Sequence, residues 1–375
     1  MLLRGSYYSL YICNEIIFCL KMKLHIFNPE HDIALAANIE RFTPPHAGRE
    51  LKADLGFIPA LWADDGDFVL VDDVDAALDS VRHLKKYARD VVFVTLADLS
   101  NIPPCELSVW GWNSSLRFQL LKAGVEEANL PSIPFLKLLR EMSNRRWAAE
   151  RVLPELLTDS NVLIGEACPI SDLEVIRKST VPFVLKAPWS SSGRGVRYVD
   201  RLTPQMENWA LNIMDRQGFI MMEPLYDKVK DFALEFESTN SGVRYLGLSL
   251  FKTINGAYAG NILASEADKR MMLGKYISME LIDGLAERIS AILTVFFHES
   301  YRGPFGIDMM VVRDGGKLKV HPCVELNLRR TMGFVALSFG VKATEAQKLM
   351  QISYAGKYHF RVLNTAENVI NNGLA

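Results

Sequence analysis

Short apolar runs alternate with mixed, helix-length stretches from Met22 onward. KLHIF, DFVLV and DVVFVTL have the length and β-branched or aromatic content of strands, and turns and charged stretches separate them. LDSVRHLKKYA carries helical periodicity, and WGWNSSLRFQLLKAGV reads as a loop followed by a helix. Together these predict an α/β lobe over residues 22–130, and NLPSIP then reads as a linker. Farther along, FLKLLREMSNRRWAAERVLPELL has helical apolar spacing with a polar interruption, ISDLEVIRKS predicts another helix and PFVLKA a strand. There is no fixed-period repeat.

Residues 1–21 break this pattern. MLLRGSYYSLYICNEIIFCLK is apolar and aromatic, but Asn14 and Glu15 interrupt it before a membrane span develops, and no small-residue cleavage site follows an apolar core. The segment reads as an upstream mis-start or loose extension, with a packed helix or membrane-surface segment as the alternatives.

Length and composition narrow the class. At roughly 100–200 residues per domain, 375 residues make two or three lobes. A hydrophobic content of 49% with 23% charged residues excludes collagen-like and generally disordered chains. Lys and Arg total 42 against 44 Asp and Glu, so the net charge of −2 gives no global field for nucleic acid. Cys13, Cys19, Cys105, Cys168 and Cys323 include no CxxC pair and leave one unpaired, which fits a reducing cytoplasm and no disulfide scaffold.

Two stretches carry chemistry. In PFVLKAPWSSSGRGVRYV a strand delivers Lys186 to a small-residue loop, where Ser190, Ser191, Ser192, Gly193 and Gly195 let backbone and hydroxyl donors approach a phosphate. The string is neither a P-loop nor a dinucleotide fingerprint, and its bland reading is a hairpin with an exposed lysine. In GPFGIDMMVVRDGGKLKVHPCVELNLRRTMG two strands joined by a turn at RDGGK carry Asp308 on one and Glu325 on the next and bring them together, with Asn327 on Glu325's face. Asp308, Glu325 and Asn327 offer oxygen ligands for Mg²⁺ beside ATP, with Mn²⁺ as an alternative; the bland reading is an edge hairpin with solvated carboxylates.

The pair of motifs resembles the ATP-grasp superfamily over residues 135–375, with a family-type α/β domain before it. The resemblance implies an α/β plus α+β fold: a preceding α/β lobe over 22–130, a first ATP-grasp lobe over 135–215 and a second over 216–375. It makes Lys186 the phosphate-binding lysine and WSSSGRGV the phosphate-covering loop, although Ala187 departs from a frequent Lys-Pro pairing. MMEPLYDKVKDFALEF resembles the adenosine-site hinge and strand, which places Glu223 at the adenine edge and Asp231 at the ribose, where a glutamate is common. Asp308, Glu325 and Asn327 take the metal role, and Arg329 faces a phosphate or acylphosphate. SNRRWA stands where the family has a lysine and offers Arg145 or Arg146, Arg145 being favoured. The implied activity is that of a carboxylate-amine or carboxylate-thiol ligase acting through an acylphosphate. An ATP-dependent phosphotransferase and a noncatalytic nucleotide sensor remain open, as does oligomeric state; neither nucleic acid nor a stable membrane partner is expected.

Other residues are weaker candidates. Lys252, on an apolar strand before a Gly-rich turn, faces either an anionic substrate or solvent. FNPEHDIALA sets Asn28, Glu30, His31 and Asp32 on a loop that is either a substrate site or a turn and cap. His25, His31 and His46 lack zinc spacing. Trp110 and Trp112 form a ligand wall or cover a core edge, His321 and Cys323 read as strand packing, and Arg330 points away from Arg329's face.

Overall fold

A computed structural model of the chain describes residues 22–157, 160–190, 193–254, 257–342 and 344–364. Among these, sixteen strands form four sheets of four. The first three apolar runs become β1 (Lys23–Ile26), β2 (Phe68–Leu70) and β3 (Val92–Val94), joined by β4 (Glu106–Val109) in a parallel sheet ordered β3-β2-β1-β4. Burial on both faces explains why the strands read as continuous apolar runs: Leu24, Ile26, Phe68 and Leu70 pack toward Leu116 and Leu120, while Val69 and Phe93 pack toward Leu55 and Ile58.

The linker leads into the helices Ile133–Met142 and Arg145–Arg151, capped by the Ser132 and Asn144 side chains. A small antiparallel sheet follows, ordered β5-β8-β6-β7, from β5 (Cys168–Ile170), β6 (Phe183–Lys186), β7 (Val196–Val199) and β8 (Ile220–Pro224). The sequence-based division at 215/216 therefore falls inside the helix Pro204–Gln217, ahead of a strand that pairs with β6. Composition does not mark that point, because the sheet's last strand arrives only after the helix.

The next strands, β9 (Asp227–Thr239), β10 (Gly242–Ser249), β11 (Phe251–Ile254) and β12 (Ala257–Leu263), are divided between two sheets. β9 and β10 join β13 (Gly303–Asp314) and β14 (Lys317–Asn327) in a central sheet ordered β10-β9-β13-β14. Alternation along DFALEF decides its faces. Phe232, Leu234 and Phe236 are fully buried with Phe305, Ile307 and Met309 against the helix Met279–Phe297, whose Ile282, Leu285, Ile289, Leu293 and Phe297 follow helical spacing. Each such side chain contributes about 1.5–3 kcal/mol by leaving water. Asp231, Ala233, Glu235, Gly306 and Asp308 are left for the other face, the floor of a cleft. The expected hairpin forms at RDGGK, with Gly315 and Gly316 at φ +55° and +77°, values suited to a tight two-residue turn.

β15 (Lys348–Tyr354) and β16 (Tyr358–Asn364) complete the fourth sheet, ordered β11-β12-β15-β16. SYAGKYHFRVLN is thus a hairpin ending in an edge strand. This sheet returns to the N-terminal lobe: Leu263, Met350 and Phe360 share a core with Phe27, Leu55 and Ile58, and Asp54 accepts from the Tyr358 backbone N–H at 2.7 Å. The result is an α/β lobe followed by α+β layers. No helix among the described residues is long and apolar enough to cross a membrane. Residues 1–21 and the terminal stretch 365–375 lie outside the described residues.

Candidate active site

The cleft, of about 310 Å³, opens between the central sheet, the β6–β7 loop and the FNPEHD loop of the first lobe. Register sets its floor. Ser249, Ala233, Asp308 and Glu325 form one row across β10, β9, β13 and β14, and Gly247, Glu235, Gly306 and Asn327 form the next. At about 3.3 Å per residue the rows lie roughly 7 Å apart.

Asp308 and Glu325 face each other directly, and Asn327 donates from Nδ2 to Asp308 Oδ2 at 3.3 Å. Burial, and then the facing Glu325 carboxylate, push the Asp308 carboxyl up to about 7. Two arginines offset the negative charge. Arg145 Nη2 lies 2.7 Å from Glu325 Oε1, while Arg329 donates to Asn327 Oδ1 and Asp32 Oδ2, both at 2.9 Å. Among the described residues no group of three or more His, Cys, Asp or Glu is placed to hold a metal. Two carboxylates and an amide oxygen nevertheless suit a hard divalent cation that keeps water or phosphate oxygens as its other ligands. Guanidinium groups already contacting Glu325 and Asn327 show that this oxygen set attracts positive charge.

Arg145 starts its helix because Asn144 caps it, accepting from the Arg146 N–H at 2.9 Å. Its guanidinium also donates to Ala187 O at 2.5 Å and Ser190 Oγ at 2.8 Å, which ties the β6–β7 loop to the carboxylate row. Gly193 lines the cleft, and a Cβ at Gly195 would lie 2.2 Å from Ser190 Oγ. Ser191 and Ser192 fall outside the described residues. Lys186 and Glu223 form a buried ion pair at 2.5 Å. Neither lines the main cleft; Glu223 borders a much smaller adjoining cavity with Arg145, His321 and Glu325. Asp231 lines the cleft and accepts from Lys228 at 2.7 Å and Thr253 at 2.9 Å. Arg146 instead pairs with Glu150 on the helix surface.

Lys252 stands apart. Its neighbours Phe251 and Thr253 line the cleft while its own side chain is exposed, so strand alternation turns it outward. Arg330 also points away, donating to Val109 O and Ser108 Oγ. Of FNPEHD, Phe27, Pro29 and Asp32 reach the cleft; His31 and Asp32 open the helix His31–Ala37 rather than lying in the loop, Asn28 holds the turn before it through Gly111 O at 2.8 Å, and His31 sits 3.3 Å from Asn113. Trp110 packs edge-on against Phe27 in the core and also lines the cleft.

Glu235, Ser249, Tyr258, Asn261 and Thr331 also line the cleft, and sequence reasoning missed them. A signal for Glu235 existed, since DFALEF puts Asp231 and Glu235 on one strand face. Burial raises the Glu235 carboxyl to about 8.

Burial holds His31 and His321 neutral, each lowered to about 4 from 6.5. Below pH 6.5 the unfolded chain therefore binds protons that the folded chain refuses. Their contribution is complete above pH 6.5 and is lost as pH falls toward 4. Each histidine is expected to cost on the order of 2 kcal/mol of stability at pH 5. Urea midpoints at pH 7 and pH 5 check this, and equal midpoints contradict it. Cys323, its thiol pushed up to about 12 by burial, is packed in the core as expected.

No family model matches the chain, and no curated protein does. Among solved structures it is similar to N5-carboxyaminoimidazole synthetase from Staphylococcus aureus complexed with ADP, at 13% identity over 89% of this chain and 83% of that one, TM-score 0.46. It is also similar to phosphoribosylamine–glycine ligase from Thermotoga maritima, at 14% identity over 88% and 80%, TM-score 0.47. For L-amino acid ligase from Bacillus licheniformis the values are 15% identity over 84% and 69%, TM-score 0.43.

Proposed function

We propose that the chain is an ATP-grasp ligase that activates a carboxylate as an acylphosphate and passes the acyl group to an amine or related nucleophile. The observation that carries this reading is the facing pair Asp308 and Glu325 with Asn327, set in a cleft beside Arg145 and Arg329. Asp308, Glu325 and Asn327 would hold Mg²⁺, or Mn²⁺ through the same oxygens. A bound divalent cation supplies Lewis-acid stabilisation of phosphate charge.

The chain's own residues supply binding and orientation. Arg145 bridges the Ser190 loop to Glu325, so its guanidinium can follow the loop onto a phosphate. Lys186 adds positive charge beneath that loop when the nucleotide competes with Glu223, and Asp231 accepts ribose hydroxyls. Arg329, oriented by Asp32, faces the acylphosphate and stabilises the leaving phosphate. In the reaction the carboxylate oxygen attacks the γ-phosphorus and ADP leaves; the nucleophile then attacks the acyl carbon and inorganic phosphate leaves. No protein nucleophile is needed, which agrees with a buried, protonated Cys323.

Purified protein with Mg²⁺, ATP and a pooled metabolite extract, followed by mass spectrometry, tests the reading. A condensed product with matching ADP is expected. A phosphorylated acceptor without condensation indicates a phosphotransferase, AMP indicates adenylation, and nucleotide binding without any turnover indicates a sensor.

A further inference from the structure

The cleft floor holds a second acidic position, one row beyond the carboxylates assigned to the metal. Glu235 is 1% exposed, lines the cleft, and its Oε2 has no hydrogen-bond partner. An unpartnered buried carboxyl oxygen is costly and calls for a donor.

Its surroundings are shaped for it. A Cβ at Gly333 would lie 2.0 Å from Glu235 Oε1, and a Cβ at Gly306 would lie 2.8 Å from Oε2, so these two glycines leave the room that the carboxyl occupies. Ser249 Oγ converges on the same Gly333 position, at 2.6 Å. The donors behind Ser249 run in one direction: Tyr258 Oη donates to Asn261 Oδ1 at 2.5 Å, and Asn261 Nδ2 donates to Ser249 Oγ at 2.8 Å. Ser249 already accepts, so its own proton is free to turn toward Glu235. Thr331 also hydrogen-bonds to the carboxyl. Hydroxyls thus lie on one side of the carboxyl, while Oε2 stays without a partner.

Nearby cations are committed elsewhere. Arg329 is bound to Asp32 and Asn327, and Lys269 to Glu266 at 2.9 Å and Leu248 O at 2.5 Å. No cation among the described residues is therefore free to reach Oε2, and a cationic donor brought by a ligand fits it. An ammonium group offers three N–H donors and a compensating charge, whereas a thiol is a weak, uncharged donor.

We propose that Glu235, set beside Ser249 and Thr331, is the specificity-determining residue that binds the ammonium group of the acceptor and takes up the proton it sheds, so that the free primary amine is the nucleophile. This rests on the acyl-transfer reading above. It adds which of the two acceptor chemistries the site takes and which residue selects it.

The test uses the full chain loaded with Mg²⁺ and ADP. Probes are the common amino acids, putrescine and spermidine as amines, 2-mercaptoethanol and 3-mercaptopropionate as thiols, and glycerol as an alcohol, each read by thermal shift and calorimetry. At least one amine is expected to bind and stabilise the protein, and Glu235→Gln should weaken it about tenfold or more. Nucleotide affinity should stay within about twofold. The ligand-free Glu235→Gln protein should melt no lower than the parent, because it loses an unpartnered buried carboxyl; a carboxyl with a purely structural role would show a loss. Gly333→Ala, whose methyl must displace the carboxyl, should weaken the same amine, and it decides the matter if Glu235→Gln does not fold. Binding of thiols or glycerol alone, no amine binding, or equal amine affinity in the variants overturns the proposal. Failure of the parent protein to bind the nucleotide would overturn the ligase reading instead.

Discussion

Glu325→Gln is expected to lower Mg²⁺-dependent product formation by about 10²- to 10³-fold, the scale seen when one electrostatic contributor to a transition state is removed. The substitution keeps size and strand packing but removes an anionic oxygen from the row shared with Asp308. It also releases Arg145, which lies 2.7 Å from Glu325 in the nucleotide-free protein. Metal-free nucleotide binding should therefore change little or improve while turnover collapses. Calorimetry without metal, run beside a turnover assay with the acceptor found in the metabolite screen, reads the two effects separately. A folded variant with full Mg²⁺-dependent product formation removes Glu325 from the metal role.

The second large effect is expected at Lys186. Lys186→Ala should weaken Mg²⁺-ATP binding roughly tenfold to a few hundredfold, the equivalent of about 1.4–3 kcal/mol for a charge-assisted contact. It should also lower the melting temperature, because Glu223, a tenth exposed, loses the ammonium 2.5 Å away. Stranding one member of a buried pair costs up to about 3–5 kcal/mol. Adding Glu223→Gln to Lys186→Ala removes the stranded charge. The double variant should regain most of the lost stability and none of the lost affinity. Full ATP affinity in the folded double variant contradicts the phosphate role of Lys186.

Local patterns made much of this architecture legible. The apolar runs KLHIF, DFVLV and DVVFVTL contain β1 to β3, and the two glycines of RDGGK set the hairpin that brings Asp308 and Glu325 together, although the register shift between Asp308 and Met310 that sets them opposite each other is not marked in the sequence. Period-two alternation sufficed for Glu325 and Asn327. Applied to DFALEF it also exposes Glu235, and applied to β11 it turns Lys252 out of the cleft. What stayed hidden depends on contacts far apart in the chain. The C-terminal hairpin returns to the first lobe through pairs such as Lys348 with Tyr87 and His83 with Phe360, which leave no trace in local spacing. The Lys186–Glu223 pair depends on β8 lying beside β6 after a helix has intervened. The Arg329–Asp32 contact joins residues nearly three hundred positions apart.

The central claim is that this cleft makes an acylphosphate, and transfer of oxygen from the substrate carboxylate to phosphate tests it most directly. The carboxylate identified in the screen, labelled with ¹⁸O in both oxygens, would be turned over with unlabelled ATP and Mg²⁺, and the released inorganic phosphate analysed by mass spectrometry. One ¹⁸O atom per inorganic phosphate, matched to ADP and condensed product, is the predicted result. Unlabelled phosphate, or label recovered in AMP, would contradict it.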